Sequence, residues 1–338
     1  MISGGLFDVE FRMRDIDKNG DPLAGLNALV DWEVFREELQ NVHDKKRKSA
    51  AGRKPFDPLL MLKILILQSL YNLSDDATEF QIQDRLSFMR FLGLGLGDRV
   101  PDAKTIWLFR QRLTEQNLVE PLFERFNALL QREGFAAHKG QIVDASLVAV
   151  PRQRNTREEN VGIKKGETPE GWSEEKARQK DTDARWAQKN GVNHYGYKNH
   201  ISVDAKHKLI RHYVVTNAAV HDSQVFEELL DPGNTNREVW ADSAYRSQEA
   251  LERLEASGYR EHLQRKGRRG HPLSGWEKQG NRTRSKTRSR VEHVFGIQSM
   301  RAAGNLVIRT IGLCRARTKI GLRNLAYNMS RYARLCSS

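Results

Sequence analysis

The sequence predicts an α/β protein: a mixed five-stranded sheet flanked by helices and preceded by an all-helical unit. Three observations predict it. Apolar residues recur at helical spacing in the first part of the chain, short apolar runs replace them after Gly140, and helix signals separate the later runs.

Residues 1–29 are punctuated by Gly4, Gly5, Gly20 and Gly25 without a sustained period, and are expected to be a flexible N-terminal segment. Asp44 to Pro55, containing Lys45, Lys46, Arg47 and Lys48, reads as a second mobile piece. Asp57 offers an N-cap ahead of Pro58, and Leu59 to Leu70 is apolar almost all round, as in a helix central to a bundle. A second helix is expected from Ser74 or Asp75 to about Phe91, stopped by Gly93 and Gly95. A third runs from about Asp102 to Thr114, with Ile106, Phe109 and Leu113 inward and Arg110 and Arg112 off that stripe. Pro101 to Thr105 resembles the entry to a helix-turn-helix, while Trp107 is expected in the core. Asn117 is read as the cap of a fourth helix that turns Leu118, Leu122 and Phe126 inward. Residues 30–135 thus form one helical domain.

Residues 136–338 read as an α/β domain. Gln141 to Val150 is an apolar strand with one carboxylate, Asp144, in its middle. Residues 151–190 are a polar insertion, with a short helix expected over Ser173 to Trp186. Tyr197 to Val203 and Leu209 to Thr216 make a hairpin in which Asp204 is a turn residue. Asp222 and Ser223 cap a helix to Leu230, and Val239 to Ala241 lead a fourth strand into Asp242. Ser247 to Ala256 is a helix, Tyr259 to Leu263 a fifth strand, and a basic helical C-terminus follows. Three strands, helix, strand, helix, strand and helix is the order of a ribonuclease-H-like domain.

The charge is unevenly placed. The net charge is +13, yet Arg260 to Ser338 holds 19 Lys and Arg against Glu261, Glu277 and Glu292, a balance of +16. The rest of the chain is therefore at −3. Such a block implies a polyanionic partner, most often nucleic acid. No apolar stretch is long enough to span a bilayer, no secretory signal is evident, and Cys314 and Cys336 have no zinc-site spacing. A cytoplasmic, nucleoid-associated protein is expected.

An acid inside a buried strand costs several kcal/mol unless a partner or cation compensates it. Asp144 is one such acid. Asp242, at the carboxyl end of another strand where α/β ligands gather, is a second. Glu292 is the third, isolated in a helix among Arg282, Arg284, Lys286, Arg288 and Arg290. Carboxylates suit a hard divalent cation such as Mg2+, with Mn2+ as a substitute, and two such ions serve in-line displacement at phosphorus. Asp222, in His221-Asp222-Ser223, competes as an acid but reads as an N-cap. Lys198 and His200 alternate onto one face of their strand, and either approach DNA phosphate or lie on an exposed strand face.

These residues resemble a known family. Ile142 to Ser146, His194 to His200, Ala219 to Ser223, Trp240 to Tyr245 and Arg288 to Phe295 are similar to motifs of the insertion-sequence-five transposases, within the DDE superfamily. Phe56 to Leu113 resembles that group's N-terminal domain. The resemblance places the family's catalytic, metal-binding acids on Asp144, Asp242 and Glu292, and its signature Arg, a phosphate contact, on Arg288. Two positions depart: the signature Tyr is Ser285, and the signature Lys is Ser299, with Arg301 two residues on.

The implied function is cleavage of the ends of an insertion sequence and their joining to target DNA. Residues 30–135 would serve DNA binding or dimerisation, and Arg284, Lys286, Arg288, Arg290 and Arg301, with Lys198 and His200, would contact DNA. A homodimer or higher oligomer is expected in the synaptic complex. Two alternatives stand beside it: a DNA-binding protein without catalysis, and a nuclease without strand transfer. Glycoside hydrolysis also uses paired carboxylates but fits poorly with the basic block.

Overall fold

The computed structural model describes residues 7–42, 54–189, 191–268, 270–301 and 307–337. The chain divides into two compact units, residues 1–128 with 322–338, and residues 129–321.

The first unit is helical. It contains α1 (Asp8–Lys18), α2 (Pro22–Leu29), a 3-10 turn over Trp32–Phe35, α3 (Arg36–Leu39), α4 (Pro58–Tyr71), α5 (Asp75–Asp84), α6 (Leu86–Leu92), α7 (Ala103–Glu115) and most of α8 (Val119–Arg132). Within the segment 1–29, expected to be flexible, α1 and α2 are formed, and residues 1–6 lie outside the described residues. The Asp21 side chain caps α2 ahead of Pro22, and Leu23 and Leu26 are buried. The basic run at 45–48 lies outside the described residues.

Asp57 caps α4 as expected, and the helix buries residues on all its sides, including Leu62, Ile64, Leu65 and Ile66. The single helix expected to Phe91 is broken at Arg85, whose extended backbone separates α5 from α6. Asn117 takes the left-handed conformation and closes α7, with Leu118 N–H bonding Leu113 O at 3.0 Å, rather than capping α8. Arg110 is not off the buried stripe: it is 6% exposed and makes a bidentate pair with Asp75, both bonds 2.7 Å. Trp107, expected inside, is 46% exposed.

The second unit holds β1 (Gln141–Ala149), α9 (Arg157–Lys165), α10 (Glu174–Arg178), β2 (Arg185–Lys189), β3 (Val192–Asp204), β4 (Ile210–Asn217), β5 (Glu238–Ala241), α11 (Gln248–Ala256), β6 (Arg260–Leu263), α12 (Gly275–Arg288), α13 (Arg290–Arg301) and the start of α14 (Leu313–Cys336). Among the described residues the sheet has six strands, not five. Its order is β2-β3-β1-β5-β6, with β4 also on β3. The added strand is β2, inside the segment expected to be a polar insertion. Its residues are mostly exposed, so no apolar alternation announced it. The helix expected to reach Trp186 stops at Arg178, and 3-10 turns over Asp222–Val225 and Glu227–Leu229 replace the helix expected to Leu230.

The β1–β3–β4 part is antiparallel, whereas β1–β5 and β5–β6 are parallel. Val143, Phe226, Leu229, Val239, Ala241, Tyr245 and Leu263 form one buried cluster of this unit, and Val148, Tyr197, Val215 and Ile320 belong to another. Gly140 enables the β1–β5 pairing. Its φ of +81° suits glycine, and a Cβ there would strike the Trp240 ring and the Glu238 carbonyl. The end of α14 belongs with the helical unit, burying Leu325, Met329 and Tyr332, so the α/β unit does not extend to the C-terminus as expected. Among the described residues no helix is long and apolar enough to cross a membrane.

Candidate active site

The parallel register builds the site. Gln141 pairs with Val239 and Ile142 with Trp240, so Asp144 and Asp242 occupy equivalent positions two residues further along neighbouring strands. Strands lie about 4.8 Å apart and side chains alternate faces, so equal spacing puts the two acids side by side. Asp242 falls just beyond β5, where its carboxylate accepts the Ala244 N–H at 2.8 Å and starts a 3-10 turn.

Asp144 Oδ1 accepts the Ala145 N–H at 2.8 Å, and Oδ2 accepts Arg288 Nη1 at 2.7 Å. The Asp144 side chain is 13% exposed. Burial pushes its carboxyl above the ordinary value, Arg288 and the Ala145 N–H pull it down, and the Asp242 charge pushes it up. Arg288 is the last residue of α12, and its other nitrogen, Nη2, stands 3.7 Å from Glu292 Oε1 in the first turn of α13. That helix packs on β1.

The three acids are therefore not equally assembled. Asp144 and Asp242 feel each other's charge, while Glu292 is 64% exposed and is linked to Asp144 through Arg288. Among the described residues no three His, Cys, Asp or Glu side chains converge as a ready metal cage.

The other expected contacts fall in different places. Lys286 is exposed on α12, and Arg284 is half-buried there with its Nε lacking a partner among the described residues. Arg290 is exposed, with Nη1 bonded to Ala205 O at 2.8 Å. The Arg301 side chain lies outside the described residues. Lys198 and His200 are not on an exposed strand face, because β3 is covered on both sides. Lys198 Nζ bonds Asp222 Oδ1 at 2.8 Å and Val220 O at 2.7 Å. His200 is fully buried, bonding Thr216 Oγ1 through Nε2 at 2.9 Å, so it has no surface to offer a phosphate. Asp222 is the acid of this ion pair rather than an N-cap, and the His221 side chain caps its turn.

Tyr245 closes the Trp240 to Tyr245 motif, but nothing in the sequence assigns it a role of its own. It is fully buried, and its hydroxyl has no hydrogen-bond partner among the described residues. Burial first, then the charges of Asp222, Asp144 and Asp242, raise its pKa well above the usual tyrosine range, against a lowering by Arg288. Its place three residues after Asp242 was the available signal. An orphaned hydroxyl behind two carboxylates fits a hydrated divalent cation, because Mg2+ binds through one or two carboxylates and keeps waters that need partners.

A mixed sheet with acids side by side at two adjacent parallel strands, next to Arg288 at the end of α12 and Glu292 at the start of α13, defines a ribonuclease-H-like domain. Residues 136–329 match the family described as "Transposase DDE domain", and residues 11–112 match "Transposase domain (DUF772)". The chain belongs to the DDE transposase family and is a DNA transposase. The chain is also similar to the structure titled "Cryo-EM structure of piggyBac transposase synaptic complex with hairpin DNA (SNHP)", with a TM-score of 0.47 and 14% identity over 94% of this chain and 76% of that one.

Proposed function

We propose that the chain cleaves the ends of an insertion sequence and joins them to target DNA, as a transposase of the insertion-sequence-five group. The side-by-side placement of Asp144 and Asp242 carries this reading. Divalent ions held by Asp144, Asp242 and Glu292, Mg2+ with Mn2+ as a substitute, would supply activation of the attacking oxygen and stabilisation of the leaving one.

The chain's own residues prepare that chemistry. The Tyr245 hydroxyl, kept neutral by burial, donates to a water or oxygen between the acids. Arg288 holds Asp144 until a phosphodiester enters, then exchanges the carboxylate for a phosphate oxygen, a favourable charge-assisted partner. That exchange lets Glu292 approach the two aspartates. Arg284, Lys286 and Arg290 hold the flanking backbone, and two or more copies of the chain bring two element ends together.

A second reading, DNA binding without catalysis, draws support from the engagement of Asp144 by Arg288. Asp144→Asn and Asp242→Asn discriminate between the two. Each should lower Mg2+-dependent end cleavage by about 10³-fold or more while leaving duplex binding in place. Equal cleavage by wild type and both variants would overturn the assignment of the acids. Wild-type binding without any nicking would favour the second reading, and cleavage without strand transfer from a precut end would mark a nuclease.

A further inference from the structure

Beyond the end of β1 the α/β unit contains a cavity of about 460 Å³, lined by Arg152, Arg154, Lys180, Asp181, Arg309 and Thr310 among others. We propose that it is a subsite for backbone phosphates of the bound DNA, separate from the carboxylates. The inference rests on the reading of the chain as a DNA transposase and adds a place where the strand is held.

Charge imbalance is the first argument. Four cations face one acid, and Asp181 is 3% exposed and already taken: it accepts the Tyr197 hydroxyl at 2.8 Å and the N–H groups of Asp183 and Ala184 at 3.1 Å each. Arg152, Arg154 and Arg309 are exposed and form no ion pair among the described residues. Lys180 is used differently. Its ammonium bonds Arg154 O at 3.1 Å and Asn155 Oδ1 at 2.9 Å, fixing the loop that presents the two arginines.

The wall supplies the second argument. Thr310 Oγ1 is buried beside the cavity without a partner among the described residues, a hydroxyl able to donate to an anion. Ile308 N–H bonds Ala149 O at 2.9 Å, which pins the segment bearing Arg309 and Thr310 to the end of β1. Arg152 lies over the ring of Trp186, 5.6 Å from its centroid, and that ring is 46% exposed. Guanidinium groups beside a part-exposed aromatic ring suit nucleic acid better than a free inorganic ion.

Position is the third. Arg152 follows Asp144 by eight residues, roughly 25 Å at 3.3 Å per residue if the chain stays extended. A strand whose scissile phosphate sits at Asp144 would bring phosphates several nucleotides away to this cavity.

The test is the salt dependence of binding to a fluorescein-labelled duplex, measured by anisotropy on the full chain. Each phosphate contact contributes about 0.9 to the slope of log K against log salt. The triple variant Arg152→Gln, Arg154→Gln, Arg309→Gln should reduce the slope by about 2–3 with an unchanged melting temperature. The triple Arg→Lys variant should restore most of it. An unchanged slope in the Gln variant overturns the subsite. So does protection of the arginines by pyrophosphate alone, with no protection by duplex, in a chemical-modification assay. Failure of the wild type to bind duplex at all would instead count against the transposase reading itself.

Discussion

Arg288 Nη1 donates to Asp144 Oδ2 at 2.7 Å, joining residues 144 positions apart in the chain. The same guanidinium reaches toward Glu292, so one cation stands between two of the three acids. Carboxylates meant for a divalent cation repel each other when bare, and Arg288 offsets that repulsion in the protein alone.

Arg288→Ala is expected to separate metal binding from catalysis. Without its guanidinium, Asp144 and Asp242 should bind Mn2+ roughly 3–10-fold more tightly in the absence of DNA, a change of about 1 kcal/mol. End cleavage should nevertheless fall by about 10²-fold, because a fixed donor to the phosphate is lost. Paramagnetic-resonance titration with Mn2+ and a gel cleavage assay check the two halves.

His200 should make the α/β unit acid-sensitive. Burial, followed by Lys198, lowers its pKa to about 4 from 6.5, against a raising by Asp222. The folded value lies below the unfolded one, so the stabilising contribution is present above pH 6.5 and lost as pH falls toward 4. The loss is on the order of 3 kcal/mol at most. Urea unfolding across that window should show a shallower pH dependence for His200→Gln than for the wild type.

Lys198→Met should leave the Asp222 carboxylate without its ammonium partner. Breaking such a largely buried pair costs about 3 kcal/mol. The α/β unit should unfold at lower urea while DNA binding by the folded fraction stays close to wild type.

In the helical unit, Arg110→Met removes both bonds to Asp75 and one to Gln68. About 3–5 kcal/mol should be lost in denaturant unfolding. Arg110→Lys should recover only part, because a point charge cannot reproduce the two parallel bonds.

Gly140→Ala tests the register. A methyl group must move the Trp240 ring and Glu238 backbone and adopt a positive φ, costing about 2–3 kcal/mol. Because that pairing aligns Asp144 with Asp242, end cleavage should fall more than the unfolded fraction explains.

Much of the architecture was legible along the chain. Asp57-Pro58 marks the start of α4, and the apolar run through Asp144 marks β1, because caps and burial of both strand faces leave local traces. Strand β2 left none: only its pairing to β3 makes Arg185–Lys189 a strand. Lys198 and His200 misled because alternation on a strand distinguishes its two faces but cannot say that both are covered.

The sequence by itself determined a helical unit followed by an α/β unit, the three isolated acids and a basic C-terminal quarter, since caps, periodicity and charge are local properties. Tertiary structure alone decided how those acids relate. The parallel register sets Asp144 beside Asp242, while Arg288 takes Asp144 and leaves Glu292 outward. Tyr245 likewise gains its meaning only when burial leaves its hydroxyl without a partner among the described residues. The physical reason is that strand register and desolvation are set by residues far apart in the chain, and no local pattern encodes them.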